Sequence, residues 1–133
     1  MALRLNDPLR SKIIATGIIG GLGTSAILKV YGGTQPLSGG GTTTEGIIVQ
    51  ISGISWATPS NGTAALSTSF LGTANGTDGT ASWARLSDTS GTAYVIDGAC
   101  GTSSLSDFII DSEVINGTSV ITLTSASIIQ PAS

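Results

Sequence analysis

Turn dipeptides cut most of this chain into short pieces and leave little room for anything but strands. Asn61-Gly62, Asn75-Gly76, Asp78-Gly79, Ser90-Gly91, Asp97-Gly98 and Asn116-Gly117 fall at intervals of 3 to 19 residues. Such pairs supply the positive φ angles that tight turns need. The segments between them are rich in Val, Ile and Thr, which suit a pleated surface. Strands are expected at 26–31, 46–53, 63–71, 80–86, 92–96, 107–111 and 119–129. In 46–53, Ile47, Val49 and Ile51 share one face, and Ile48 on the other implies that both sides are covered. In the last strand Ile121 and Leu123 lie on one phase, Ala126 and Ile128 on the other, so a bulge is expected near Ser125. Gly-Thr recurs without a fixed period, which argues against a solenoid. The class implied is mainly β: an antiparallel β-sandwich or jelly-roll-like domain with a short N-terminal α-helix.

That helix belongs to an N-terminal unit, 1–19, ahead of a β-sandwich domain, 20–133. Residues 1–5 form an arm. Asp7 can cap, and Pro8 suits a first helical position, where its missing N–H would be unpaired anyway. Leu5, Leu9 and Ile13 recur at a spacing of four and form the stripe expected to dock, in cis or on a neighbour. Arg10, Ser11 and Lys12 fall to the sides and back. Gly17 is expected to end the helix, and 20–23 to be a flexible joint. The apolar run 13–22 is interrupted by Gly and is too short for a membrane span; with Asp7-Pro8 ahead of it, it also makes a poor signal peptide. Residues 32–44 form a long uncharged loop, which makes them a contact loop or a mobile one.

One stretch, 79–86, concentrates unusual residues. It holds Trp83, one of two tryptophans, and Arg85, the only basic residue after Lys29. Residues two apart in a strand share a face, so indole and guanidinium share an environment. Trp83 reads as the packing anchor of a core strand. Arg85 either pairs with an acid such as Asp88 or Asp97 at the sheet rim, or bridges to a neighbouring subunit.

Charge and composition remove most chemistry. Only 10% of residues are charged and the net charge is −3. Beyond residue 30 one Arg faces seven acids, so there is no basic footprint for nucleic acid. There is no His and one Cys, Cys100. That rules out His-based triads, an intrachain disulfide and a zinc quartet. With no basic neighbour in sequence, Cys100 reads as a small buried hydrophobe. Asp107, Asp111 and Glu113 offer oxygens suited to Ca²⁺ but lack an EF-hand pattern, and solvated strand ends explain them. Asp78 and Asp88 flank the 80–86 strand as a carboxylate pair with no implied cleft. Three Asn-Gly-Thr triplets match the glycosylation pattern, and each is also a turn before a strand start. Trp83, Trp56, Tyr31 and Tyr94 make either a sugar-stacking platform or sandwich core. No enzyme, cofactor or metal site is expected.

Four stretches carry a family resemblance, in this order along the chain: Leu3-Arg-Leu-Asn-Asp7, Tyr31-Gly-Gly-Thr-Gln-Pro36, Gly79-Thr-Ala-Ser-Trp-Ala-Arg-Leu86 and Ile115-Asn-Gly-Thr-Ser-Val-Ile-Thr-Leu-Thr124. Together they resemble a family of small virion structural proteins of tailed bacteriophages. Ala84 stands where that family often has an aromatic. The resemblance implies a capsid decoration (cement) protein at the capsid surface, touching the major capsid protein and its own copies, without nucleic acid or membrane. The residues expected at such contacts are Arg4, Arg10, Lys12, Gln35, Pro36 and Arg85. A tail, neck or fibre component is the alternative within virions. A secreted carbohydrate-binding or adhesin domain, with Trp56 and the 32–44 loop as its surface, is the alternative of another class.

Overall fold

In the computed structural model, residues 3–91 and 93–131 are described. Helix α1 (Asp7–Ile13) opens the fold, with Asn6 rather than Asp7 as its cap: the Asn6 side chain accepts the Leu9 N–H. Gly17 does not end the helix. The chain passes through a π-helical stretch (Ile14–Ile19) into a last α-turn (Gly20–Leu22), and stops at Gly23 with φ at +79°. The expected joint at 20–23 is therefore mostly helix. A glycine inside a helix costs about 1 kcal/mol, and burying Ile14 and Leu22 more than offsets it.

The face that docks is also not the expected one. Leu9 and Ile13 are exposed, while Ile14 is fully buried, and Ile18 and Leu22 pack toward the core. Arg10 and Ser11 turn toward the body instead. The Arg10 Nη2 donates to the Asn61 carbonyl at 2.6 Å, and Ser11 Oγ accepts the Gly62 N–H at 3.0 Å. These two anchors fix the helix roll and leave the leucine stripe outside.

Among the described residues ten strands follow: β1 (Ala26–Tyr31), β2 (Val49–Ile54), β3 (Thr63–Ala65), β4 (Phe70–Thr73), β5 (Gly79–Thr80), β6 (Trp83–Ser87), β7 (Val95–Gly101), β8 (Phe108–Ile110), β9 (Val114–Ile115) and β10 (Val120–Ile129). The main sheet runs β2-β1-β6-β7-β8-β10-β3, with β4 also pairing with β10. Strands β5 and β9 form a separate ladder. The class is mainly β with one N-terminal helix, as the turn pattern implies. The sheet is mixed, however, because β7 and β8 pair in parallel. It curls until β4 lies against β2, with Val49 bridging Ala74. Gly72 permits that closure: a Cβ there would stand 2.5 Å from the Gln50 carbonyl oxygen.

Two of the expected strands are split. The 63–71 segment becomes β3 and β4, and 80–86 breaks at Ala81-Ser82 into β5 and β6. Asp97-Gly98 is not a turn but lies inside β7. The strand expected at 92–96 begins at Thr92, outside the described residues, and the ladder continues to Gly101. Residues 1 and 2 of the arm are likewise outside them. The bulge appears where expected: Leu123 pairs with Ile110 and Ser125 with Ile109, two steps of β10 against one of β8. The core fills the curl with Leu28, Val30, Ile51, Leu86, Ile110, Ile121 and Leu123, all essentially inaccessible. Ala84 belongs to it too, fully buried between Val30 and Gly98 on the flanking strands.

Candidate functional site

Strand β6 lies between β1 and β7 in the sheet, and its two faces do different work. Ala84 and Leu86 face the core. Trp83 and Arg85 face the other way, as the two-residue period requires. Trp83 is only 1% exposed, as the packing anchor of a core strand should be, but it packs outside the main core cluster. It meets the long loop 32–44 at the loop's first residue, Gly32.

A clamp of four side chains holds that loop. Tyr31 pairs with Trp83 across the β1–β6 ladder, and their rings stack at 4.4 Å with 12° between planes. Arg85 pairs with Asp97 across the β6–β7 ladder. Its Nε donates to Asp97 Oδ1 at 2.7 Å and its Nη2 to Oδ2 at 2.9 Å. The guanidinium carbon lies 5.4 Å from the Trp83 ring centre, within cation–π range. Asp97, not Asp88, is thus the acid that Arg85 meets, and its side chain is 1% exposed.

The clamp grips the loop through backbone groups. Arg85 Nη2 donates to the Gly41 carbonyl at 2.7 Å, and Asp97 Oδ2 accepts the Gly40 N–H at 3.0 Å. The Trp83 indole N–H donates to the Gly32 carbonyl at 3.1 Å, and Ser82 Oγ to the Gly33 carbonyl at 2.7 Å. Both ends of the loop are tied down, so it is pinned rather than free. Electrostatics follow the geometry. The hydrogen bond to Asp97 raises the Arg85 pKa further above its ordinary value. Burial raises that of the Tyr31 phenol, with the Arg85 charge partly opposing.

The pinned loop presents its middle. Gln35 is exposed, Pro36 is half-buried, and Leu37 stands entirely clear of the surface. Leu37 was not among the expected contact residues, although it is the one large apolar residue in 32–44. Arg4 and Lys12 are exposed on the N-terminal segment. Arg10 is bound to Asp7 and Asn61, and Arg85 is committed to Asp97 and Gly41. Of the six expected contact residues, Gln35 and Pro36 sit together on the loop and Arg4 and Lys12 on the N-terminal segment. Arg10 and Arg85 instead hold those two elements in place.

The other candidate groupings do not assemble. Tyr31 and Trp83 are buried, Trp56 packs against the core, and Tyr94 stands apart over Gly21, so the four aromatics form no common platform. Asp107 accepts the Ala99 N–H, Asp111 the Thr122 N–H and Glu113 the Thr102 N–H. Among the described residues no three metal-ligating side chains converge. Asn61-Gly62 is a two-residue hairpin turn, closed by Ser60 and Thr63 bonding each other's backbones. Asn75-Gly76 and Asn116-Gly117 meet where the Gly76 N–H donates to the Gly117 carbonyl. Cys100 is buried, and burial pushes its thiol up to about 12. Among the described residues no helix is long and apolar enough to cross a membrane. Comparison with protein-family models, with curated proteins and with solved structures gives no match.

Proposed function

We propose that this protein is a non-enzymatic structural component of a tailed-phage particle. In this reading it decorates the capsid surface and stabilises the shell through contacts with the major capsid protein and with its own copies. The observation that carries it is the pinned loop. A buried ion pair and a stacked aromatic pair are spent on fixing an uncharged surface loop that offers Gln35, Pro36 and a fully exposed Leu37. A loop ordered in advance loses less entropy on binding, which is what an adhesive needs and a mobile tether lacks. The resemblance carried by 3–7, 31–36, 79–86 and 115–124 supports the virion setting. Low charge supports a surface partly reserved for partners, since each standard contact covers about 800 Å² of one partner and the monomer exposes 7064 Å².

The test is to image and heat particles made with and without this protein. Intact capsids that release their genome at lower temperature when it is missing are the expected result. Particles lacking tails, or fibres alone, would move the protein to the tail, neck or fibre reading. Binding of the isolated protein to a glycan array would favour the adhesin.

A further inference from the structure

The helix stripe left outside by the Arg10 and Ser11 anchors has a counterpart elsewhere on the molecule. Its apolar members are Leu9 and Ile13, with Leu3 ahead of the helix; Leu3 is 92% exposed. Arg4 and Lys12 lie alongside, exposed, and among the described residues neither belongs to an ion pair. The segment is therefore apolar and cationic, and it is held by its opposite face, so it cannot roll inward.

On the body, an open hollow of about 260 Å³ lies between β7, β8 and the end of β10. Its apolar wall is Ile96, Phe108, Ala126, Ile128 and Ile129, and exposed Asp107 stands at its edge. The Asp107 carboxylate is seated there. It accepts the Ala99 N–H at 2.9 Å and lies against Gly98, where a Cβ would come within 2.9 Å of Oδ2. This hollow is the furrow; a second one of about 280 Å³, lined by Ile18, Leu22 and Tyr94, has Ile96 in its wall too. The furrow is apolar and anionic, the mirror of the stripe.

We propose that the helix stripe of one copy docks in the β7–β8–β10 furrow of a second copy, with Leu9 and Ile13 in the apolar trough and Lys12 facing Asp107. Charge complementarity selects this occupant. The body beyond residue 30 carries seven acids and one Arg, and that Arg is already paired with Asp97. The basic N-terminal segment of another copy matches that imbalance. The contact is heterologous, using two different patches, so it propagates from copy to copy unless a rotation closes it into a ring. It gives the self-contact in the proposed function a location and rests on that reading. Exposed ion pairs are weak singly, and many copies on one shell add avidity.

The test uses the full chain and two kinds of variant. In disulfide trapping, Ile13→Cys protein is mixed with Ile129→Cys protein, or with Val114→Cys protein as the control. Val114 is as exposed as Ile129 but lies on β9, away from the furrow. Native Cys100 is buried and does not compete. A mixed dimer formed at least about fivefold faster with the Ile129→Cys protein than with the Val114→Cys protein is expected. In the charge test, Asp107→Lys and Lys12→Asp each slow trapping about fivefold at low salt, a size set by the reach of one exposed pair, and the double variant restores it. Equal trapping by the two partners, or no rescue in the double variant, overturns the proposal. Neither result bears on whether the protein binds capsids. If particles lack the protein while trapping succeeds, the decoration reading fails and the self-contact stands.

Discussion

Arg85 is where one side chain decides most. It serves both oxygens of a carboxylate that is 1% exposed, caps a loop carbonyl and lies against the Trp83 ring. Removing one partner of a buried pair leaves the other charged and unsatisfied, which costs more than the pair itself contributes. Arg85→Ala is expected to destabilise the monomer by about 3 kcal/mol and to loosen residues 40–41. Thermal unfolding and amide exchange of those residues check it. An unchanged melting temperature with weakened assembly would instead make Arg85 a contact residue. Arg85→Lys keeps the charge but loses the planar fork, so an intermediate loss is expected. Cys100 offers a second residue-scale test. Its ordinary pKa is 9.0, and burial raises it to about 12 in the folded chain, with Glu113 adding to the effect. Between those values the folded state holds a proton that the unfolded state has released, so stability falls as pH rises through that window. Tyr31, also raised, acts in the same direction from 10.0 upward. Stability below pH 9 is expected to be untouched by these two groups. Cys100→Ser is expected to flatten part of the alkaline decline, and native Cys100 to resist thiol reagents at about pH 8. Fast labelling of the folded protein at that pH would contradict the assignment.

At the level of elements, the helix shows what pattern can and cannot settle. Two apolar stripes of spacing four run along it, Leu5/Leu9/Ile13 and Ile14/Ile18/Leu22. Spacing alone cannot choose between them. The choice is made by partners distant in sequence, the Asn61 carbonyl and the Gly62 N–H, which hold Arg10 and Ser11 inward. Ile14→Ala is therefore expected to cost about 3 kcal/mol, roughly 10 °C in melting temperature. Leu9→Ala is expected to stay within about 0.5 kcal/mol. The reverse order in a thermal melt would put the leucine stripe back at the docked face. The same logic explains the sheet. Strand 26–31 and the bulge near Ser125 were legible because β-branched runs and a phase change in apolar residues are local signals. The breaks at Ala81-Ser82 and in 63–71, and the parallel β7–β8 pair, depend on how the sheet curls. Asp97-Gly98 carries a turn signature yet stays in β7, because Asp97 is claimed by Arg85 and Gly98 makes room for Asp107. The Trp83/Arg85 pairing was readable from a two-residue step. That it faces a loop rather than the core depends on residues 32–41 folding back over it.

For the whole molecule, the proposed function turns on which surface would adhere. The exposed apolar side chains are spread widely, and two of the locations are built rather than incidental: the helix stripe and the tip of the pinned loop. They differ in charge. The stripe carries Arg4 and Lys12, matching the protein's own acidic body, whereas residues 32–44 carry no charge at all. An uncharged rigid loop gains nothing from the acidic body of a second copy and suits a partner with an apolar pocket. In the proposed reading the two surfaces divide the work, the stripe joining copies to one another and the loop joining them to the shell. Leu37 separates the roles. Its side chain is fully exposed and adds nothing to the core, so Leu37→Asp is expected to leave the melting temperature within about 2 °C. An apolar anchor at the centre of a contact is worth about 2 kcal/mol or more, so affinity for capsids lacking the protein is expected to fall roughly thirtyfold. Disulfide trapping through the helix stripe is expected to continue unchanged. Sedimentation of the variant with such capsids measures the first effect, and trapping measures the second. If Leu37→Asp binds capsids as tightly as the native chain, shell contact lies elsewhere, and the clamp beneath the loop is scaffold alone.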